Sequence, residues 1–176
     1  MKYRVIDNFL DKTYFDRLVN LFTDKKSLGN FDMPWYIVSN VTGRKEEHNK
    51  DKLYFYMMNM LYDMNVALSP LYNNILPLLN KMKVNCLLRV KANLYPNTTI
   101  LHEHPMHTDY PFSHSAVILS LNTCDGYTKL KDGTKIDSVA NRILFFDASE
   151  EHCSTTTTNV SARFNININY IQEQIL

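Results

Sequence analysis

From Cys86 to Tyr95 the chain alternates strictly, with Cys86, Leu88, Val90, Ala92 and Leu94 on one side and Arg89, Lys91, Asn93 and Tyr95 on the other. Successive side chains of an extended strand point to opposite faces, so this stretch is constrained to be a half-buried strand with one apolar and one polar wall. Such a strand needs partners, and the second half of the chain supplies them. Ser115 to Asn122, the apolar run Ile143-Leu144-Phe145-Phe146 and Ala162 to Ile168 read as strands, and Thr128 to Ile136 reads as a hairpin about Asp132-Gly133. Asn141 suits a left-handed turn ahead of the Ile143 strand.

The first half has a different character. Phe15, Leu18, Val19 and Phe22 recur at helical spacing, which predicts a short amphipathic helix over Thr13 to Phe22 with Thr13 as its cap. Asp24-Lys25-Lys26-Ser27 with Gly29 and Asn30 ends it in a turn, and Pro34 to Val38 reads as a strand beginning at proline, with Trp35 as a core anchor. Thr42 to Lys50 is a polar surface loop with the composition of a lid. Leu53 to Leu68, rich in Tyr and Met, reads as a helix, and its Met57, Met58, Met60 and Met64 as adaptable core packing. Ser69-Pro70 opens a further helix that Pro77 kinks or ends. The expectation is a mainly β protein with N-terminal helices: one domain over residues 1–176, with 1–83 as supporting helices and edge strands and 84–170 as the β core. A chain of 176 residues is long enough to bury about two-thirds of its unfolded surface.

Charge excludes some functions. The formal net charge is +1 and no long Lys/Arg run occurs, so there is no broad basic field for a phosphate backbone and nucleic acid is not the expected partner. No segment carries the ~18 uninterrupted apolar residues of a membrane span, and Met1 to Asp7 lacks the apolar core of a signal peptide, so a soluble, cytoplasmic protein is expected. Cys86, Cys124 and Cys153 are odd in number and widely spaced, which fits neither a disulfide framework nor a Cys-x-x-Cys zinc pair.

The chemistry concentrates in His107-Thr108-Asp109, His152 and Arg163. In an extended segment His107 and Asp109 point the same way, and His152, just beyond a buried strand, can supply a third ligand from elsewhere in the fold. Two imidazoles and one carboxylate on one face of a metal, with the other face open, suit Fe(II). Arg163 shares an alternating face with Asn165 and Asn167, which turns it toward a polar cavity, and its planar guanidinium matches a carboxylate bidentately. Two competing readings are plainer. His102, His104 and His107 could form a zinc site, which leaves His152 and Arg163 without a role, and Arg163 could be a strand residue in a salt bridge worth about 0–1 kcal/mol if exposed. His114 reads as an ordinary polar residue at the cleft rim.

At these residues, over roughly Val84 to Tyr170 and with an echo at Val5 to Leu10, the chain resembles the Fe(II)/2-oxoglutarate-dependent oxygenases, in particular the small prolyl-4-hydroxylase-like members of phages and marine bacteria. The resemblance implies a double-stranded β-helix, a jelly-roll or cupin-like core. It implies Fe(II) held by His107, Asp109 and His152, and 2-oxoglutarate held by Arg163 at its distal carboxylate and oriented by Tyr95 and Asn93, with Asn165 beside them. It implies O₂-dependent hydroxylation with release of succinate and CO₂, ascorbate as a stimulant, a peptidyl (prolyl-type) or small-molecule substrate, and, for a phage protein, a host-cytoplasmic setting. Asn141 stands where many members have Gly. The nucleobase-demethylating branch has Asn-x-Tyr and Arg-x-Asn, matched here by Asn93/Tyr95 and Arg163/Asn165, but Asn167 to Tyr170 lacks that branch's second Arg. A cupin-like metal-binding scaffold without catalysis is the alternative from another class.

Overall fold

In the computed structural model the described residues are 3–23, 33–39 and 55–171. Two antiparallel sheets face one another. The larger runs β1 (Tyr3–Ile6), β9 (Ile143–Asp147), β6 (Ser115–Ser120), β11 (Ala162–Ile171), β5 (Cys86–Pro96), β3 (Tyr56–Asp63) and β2 (Tyr36–Val38), with β4 (Val66–Ala67) beside β3. The smaller runs β10 (His152–Ser154), β7 (Tyr127–Leu130) and β8 (Lys135–Asp137), and is extended by bridges between Glu103 and Thr155 and between His107 and His152. Strands that leave one sheet and return in the other make this the double-stranded β-helix that the family resemblance implies.

Alternation decides which face does what. Val90 and Ala92 of β5, Val117 and Leu119 of β6, and Ile166 and Ile168 of β11 point outward beneath the helices, where they meet Leu18 and Phe22 of α1 (Lys12–Thr23) and Leu78 of α2 (Leu76–Met82). Their neighbours point between the sheets. Ala116, Ile118, Leu144 and Phe146 there join Leu130 and Ile136 in a second apolar cluster, while β5 and β11 present polar side chains to the same space. The inter-sheet layer is therefore dry at one end and polar at the other.

Several local expectations are corrected. The described part of the Leu53 to Leu68 stretch, from residue 55 on, is not a helix: β3 occupies 56–63, and Met64 and Asn65 turn it back at positive φ into β4. Tyr and Met on a pleated, half-buried surface satisfy a strand as well as a helix, and hydrogen bonding to β5 along nearly the whole of β3 decides the matter. At the bulge where Met60 faces Lys91 and Tyr62 faces Val90, Leu61 is the extra residue and is fully buried. The methionines are not core packing; Met57, Met58 and Met60 are half-buried and Met64 is exposed. Helix α1 is capped by Asp11, whose Oδ1 accepts the Tyr14 N–H at 2.9 Å, and Thr13 lies inside the helix.

Ser69 does cap the next element, accepting the Leu71 N–H at 3.3 Å, but Pro70–Ile75 is a 3₁₀ turn, and Pro77 stands in the first turn of α2, where a missing N–H costs nothing. Strand β2 begins after Pro34 and Trp35, and Trp35 is half-buried against Phe164 at 5.9 Å between ring centroids. The hairpin turns at Gly133, φ +87°. Asn141 is left-handed at φ 62°, and its side chain also accepts from the Leu10 N–H (2.9 Å) and donates to the Leu10 carbonyl (2.8 Å), tying the N-terminal segment to the core, a role glycine cannot fill. The 42–50 loop lies outside the described residues.

Candidate metal and co-substrate site

Register across β5 and β11 sets Arg89 opposite Asn169, Lys91 opposite Asn167, Asn93 opposite Asn165 and Tyr95 opposite Arg163. Because residues i and i+2 share a face, these four polar pairs form a ladder along the inner wall, with rungs spaced roughly 7 Å along the strand. A cavity of about 240 Å³ opens on the ladder, lined also by Tyr56, His104, His107, Asp109, His152 and Ser154.

The metal-ligand candidates meet at one end. His107 and His152 are paired across an antiparallel bridge, each backbone N–H donating to the other's carbonyl at 3.0 and 2.9 Å. One ring nitrogen from each and a carboxylate oxygen of Asp109 lie within 4.8 Å of one another, and this is the group of metal-binding side chains that converges among the described residues. The Nδ1 of His107 is 3.2 Å from the Pro105 carbonyl and that of His152 is 3.1 Å from the Glu150 carbonyl. An Nδ1–H donating to each carbonyl fixes the tautomer and leaves Nε2 as the lone-pair donor. Burial pushes the His152 pKa down to about 4 and lowers that of His107, so both rings are neutral near pH 7, the form a metal requires.

Asp109 is oriented from the first rung. Arg89 Nη2 donates to its Oδ1 at 2.6 Å and Asn169 Nδ2 to its Oδ2 at 2.8 Å, while Arg89 Nε donates to Asn169 Oδ1 at 3.2 Å. Burial alone would raise the Asp109 pKa; the charges of Lys91 and Arg89 outweigh it and hold the carboxyl well below the usual range. Each carboxylate oxygen keeps a further lone pair after these bonds. Two neutral imidazoles and an ionised, oriented carboxylate are a donor set that fits Fe(II).

The other end holds Arg163, 1% exposed. Its Nη2 donates to Thr128 Oγ1 at 3.0 Å and its Nη1 to the Thr155 carbonyl at 3.3 Å, and its guanidinium carbon sits 5.3 Å from the centre of the Tyr95 ring. Tyr95, Asn93 and Asn165 line the cavity; Arg163 lies one layer behind Tyr95. Room for it comes from Gly126, where a Cβ would fall 2.8 Å from Arg163 Cδ and 2.7 Å from the Thr156 carbonyl oxygen. Asn93 Nδ2 donates to Asn165 Oδ1 at 2.9 Å. Asn93 Oδ1, Asn165 Nδ2, Asn167 Oδ1 and Arg163 Nε are buried without a hydrogen-bond partner. Each such atom costs about 1–3 kcal/mol, so a cluster of them around one cavity is what a polar ligand would satisfy.

The remaining histidines are redistributed. His104 is buried edge-on to Tyr56 and Tyr95, both ring nitrogens unpartnered, and burial pushes its pKa down to about 4; it lines the cavity but does not join His102 and His107 in a ligand group. His114 is buried rather than at the rim, with Nδ1 2.8 Å from the Phe112 carbonyl and its ring against Tyr110 and Phe112. The polar wall of β5 is legible in the sequence, but not the bond from Arg89 to Asp109, because that contact spans segments whose relative position only the fold defines.

No family model and no curated protein matches the chain. Solved structures do. An oxidoreductase of the 2OG-Fe(II) oxygenase family from Burkholderia pseudomallei superposes with a TM-score of 0.64 at 13% identity, covering 97% of this chain and 86% of that one. A prolyl hydroxylase from Trichoplax adhaerens, in complex with a hypoxia inducible factor peptide fragment, gives 0.60 at 16% identity over 96% and 83%. The viral collagen prolyl hydroxylase of Paramecium Bursaria Chlorella virus-1, in its 2OG complex, gives 0.58 at 14% over 98% and 97%. The described residues share the fold of these oxygenase structures.

Proposed function

We propose that the protein is an Fe(II)- and 2-oxoglutarate-dependent oxygenase that hydroxylates a peptidyl, prolyl-type, or small-molecule substrate. The observation that carries this reading is the pairing, within one cavity, of the converging His107, Asp109 and His152 with a ladder of unsatisfied polar groups that leads to a buried arginine. A metal-binding scaffold has no use for the second feature. Bound Fe(II) and the keto acid supply O₂-dependent hydroxylation of a C–H bond coupled to release of succinate and CO₂.

The chain's own residues hold and orient. His107 and His152 present Nε2, and Asp109 presents an oxygen whose direction Arg89 and Asn169 set. Arg163 supplies the charge for the distal carboxylate, and Tyr95, Asn93 and Asn165 orient the keto acid in front of it. With Tyr95 in place Arg163 acts through the ring; direct pairing requires that ring to turn. Phe146 lies edge-on to the His152 ring at 4.8 Å, walling off that side of the site with an apolar group. No helix among the described residues is long and apolar enough to cross a membrane; the proposed setting is the cytoplasm. Ascorbate is the proposed stimulant.

The test is turnover. With Fe(II), ascorbate, O₂ and 2-oxoglutarate the protein should release succinate slowly, and proline-containing peptides should be the first compounds to accelerate it. Absence of succinate above a metal-free control would overturn the reading; acceleration by methylated single-stranded DNA alone would overturn the substrate ranking.

A further inference from the structure

In the scheme above Lys91 acts only at a distance, its charge helping to keep Asp109 ionised, yet it stands on the second rung, between the pair that holds Asp109 and the pair Asn93/Asn165. It lines the cavity, and among the described residues its ammonium has no carboxylate within ion-pair distance and makes no hydrogen bond; the charge of Asp109 acts on it from farther off, and the centre of the Tyr56 ring lies 5.6 Å away. Arg163 likewise has no carboxylate, but its guanidinium is hydrogen-bonded to Thr128 and the Thr155 carbonyl. Other cations are paired. Arg89 is bonded to Asp109, Lys129 and Lys135 lie beside Glu103, and Arg142 is bonded to Asp7.

Charge counting sharpens the point. The side chains lining the cavity carry two positive charges, Arg89 and Lys91, against one negative, Asp109, with the histidines neutral. Fe(II) and the dianion of 2-oxoglutarate cancel one another, so loading both leaves the excess unchanged. Arg163, one layer behind, adds a further positive charge. Asp63 sits opposite Arg89 at the outer end of β3 and is not among the lining residues; counting it still leaves one positive charge over. An unpaired charge in a partly dry site is costly, and burial already works against the charged form of Lys91. The deficit is one anionic group, placed one rung from the carboxylate ligand.

We infer that Lys91 anchors a carboxylate of the prime substrate, so that this site takes an acidic small molecule or a peptide segment bearing a carboxylate rather than a neutral one. The inference rests on the oxygenase reading. An ammonium is suited to this role, being a compact point charge on a flexible stem that can follow a carboxylate without imposing a bidentate plane. The substrate is then clamped by charge beside the metal, and a neutral analogue leaves the ammonium unpaired.

Calorimetric titration of the full-length protein, loaded with Fe(II) under argon, tests this. 2-Oxoglutarate is titrated first; its failure to bind would sink the oxygenase reading itself, separately from Lys91. At saturating 2-oxoglutarate, matched pairs are then compared: N-acetyl-proline, N-acetyl-leucine and N-acetyl-glutamate, each against its fully amidated form. At least one acid should bind ten-fold or more tighter than its amide. Lys91→Met should abolish that preference while costing 2-oxoglutarate affinity less than three-fold, and Lys91→Arg should restore part of it. The inference is overturned if no acid is preferred to its amide, if Lys91→Met leaves the preference intact, or if Lys91→Met costs 2-oxoglutarate ten-fold or more, which would assign Lys91 to the co-substrate.

Discussion

The two ends of the β5/β11 ladder are built from the same materials and finished differently. At the Arg89/Asn169 end the orienting hydrogen bonds are made: Asp109 receives two donors, and His107 and His152 each place Nδ1 against a backbone carbonyl. At the other end Asn93, Asn165, Asn167 and Arg163 each keep a buried atom with no partner. A satisfied cluster is pre-organised and loses little when an ion arrives; an unsatisfied one is held in place by the surrounding fold and gains when a ligand fills it. On the proposed reading, the contrast separates a pre-organised metal end from an end whose orphaned polar atoms suit a co-substrate.

The largest effects should come from the finished end. His107→Ala, Asp109→Ala or His152→Ala should each weaken Fe(II) binding by a hundred-fold or more, whereas His102→Ala should bind nearly normally, as measured by anaerobic metal titration. Equal loss from His102→Ala would return the zinc-type grouping to contention.

A smaller, separable loss belongs to the other end. Arg163→Met should keep Fe(II) affinity and weaken 2-oxoglutarate by roughly ten- to a hundred-fold, the worth of the charge-assisted pair of about 1.5–3 kcal/mol that forms once the Tyr95 ring turns aside. Parallel loss of metal and keto acid would erase the distinction between the ends.

Smallest is a pH effect on the metal-free protein. His104 and His152 have pKa values near 4 in the fold against an ordinary 6.5, because burial disfavours the charged rings. Between those values the unfolded chain takes up protons that the folded one refuses, so stability is full above about pH 6.5 and falls as pH drops toward 4. Melting temperature should decline from pH 7 to pH 5, the range in which these two rings titrate in the unfolded chain; a rise on acidification would contradict the neutral rings.

Most of this arrangement is written in local pattern. The alternation from Cys86 to Tyr95 reads directly as the wall of β5, and His107-Thr108-Asp109 with His152 reads as the ligand set that the structure draws together. Where local pattern is ambiguous it misleads: Leu53 to Leu68 has no period strong enough to choose helix or strand, and β3 is chosen by its hydrogen bonds to β5. The distribution of orphaned atoms is invisible in sequence, since Asn93 and Asn169 are the same residue type and differ only in what stands opposite them. So is the seat of Arg163 behind Tyr95, which depends on Gly126 lacking a Cβ.

If the contrast between the ends is functional, one cavity takes Fe(II) at its finished end and 2-oxoglutarate across its unfinished one. The decisive experiment is anaerobic titration of the Fe(II)-loaded protein with 2-oxoglutarate, followed by visible absorption. A weak charge-transfer band that saturates at one equivalent of keto acid, and is absent with succinate, is the expected result. Iron binding without any such band at saturating keto acid would contradict the assignment of the two ends.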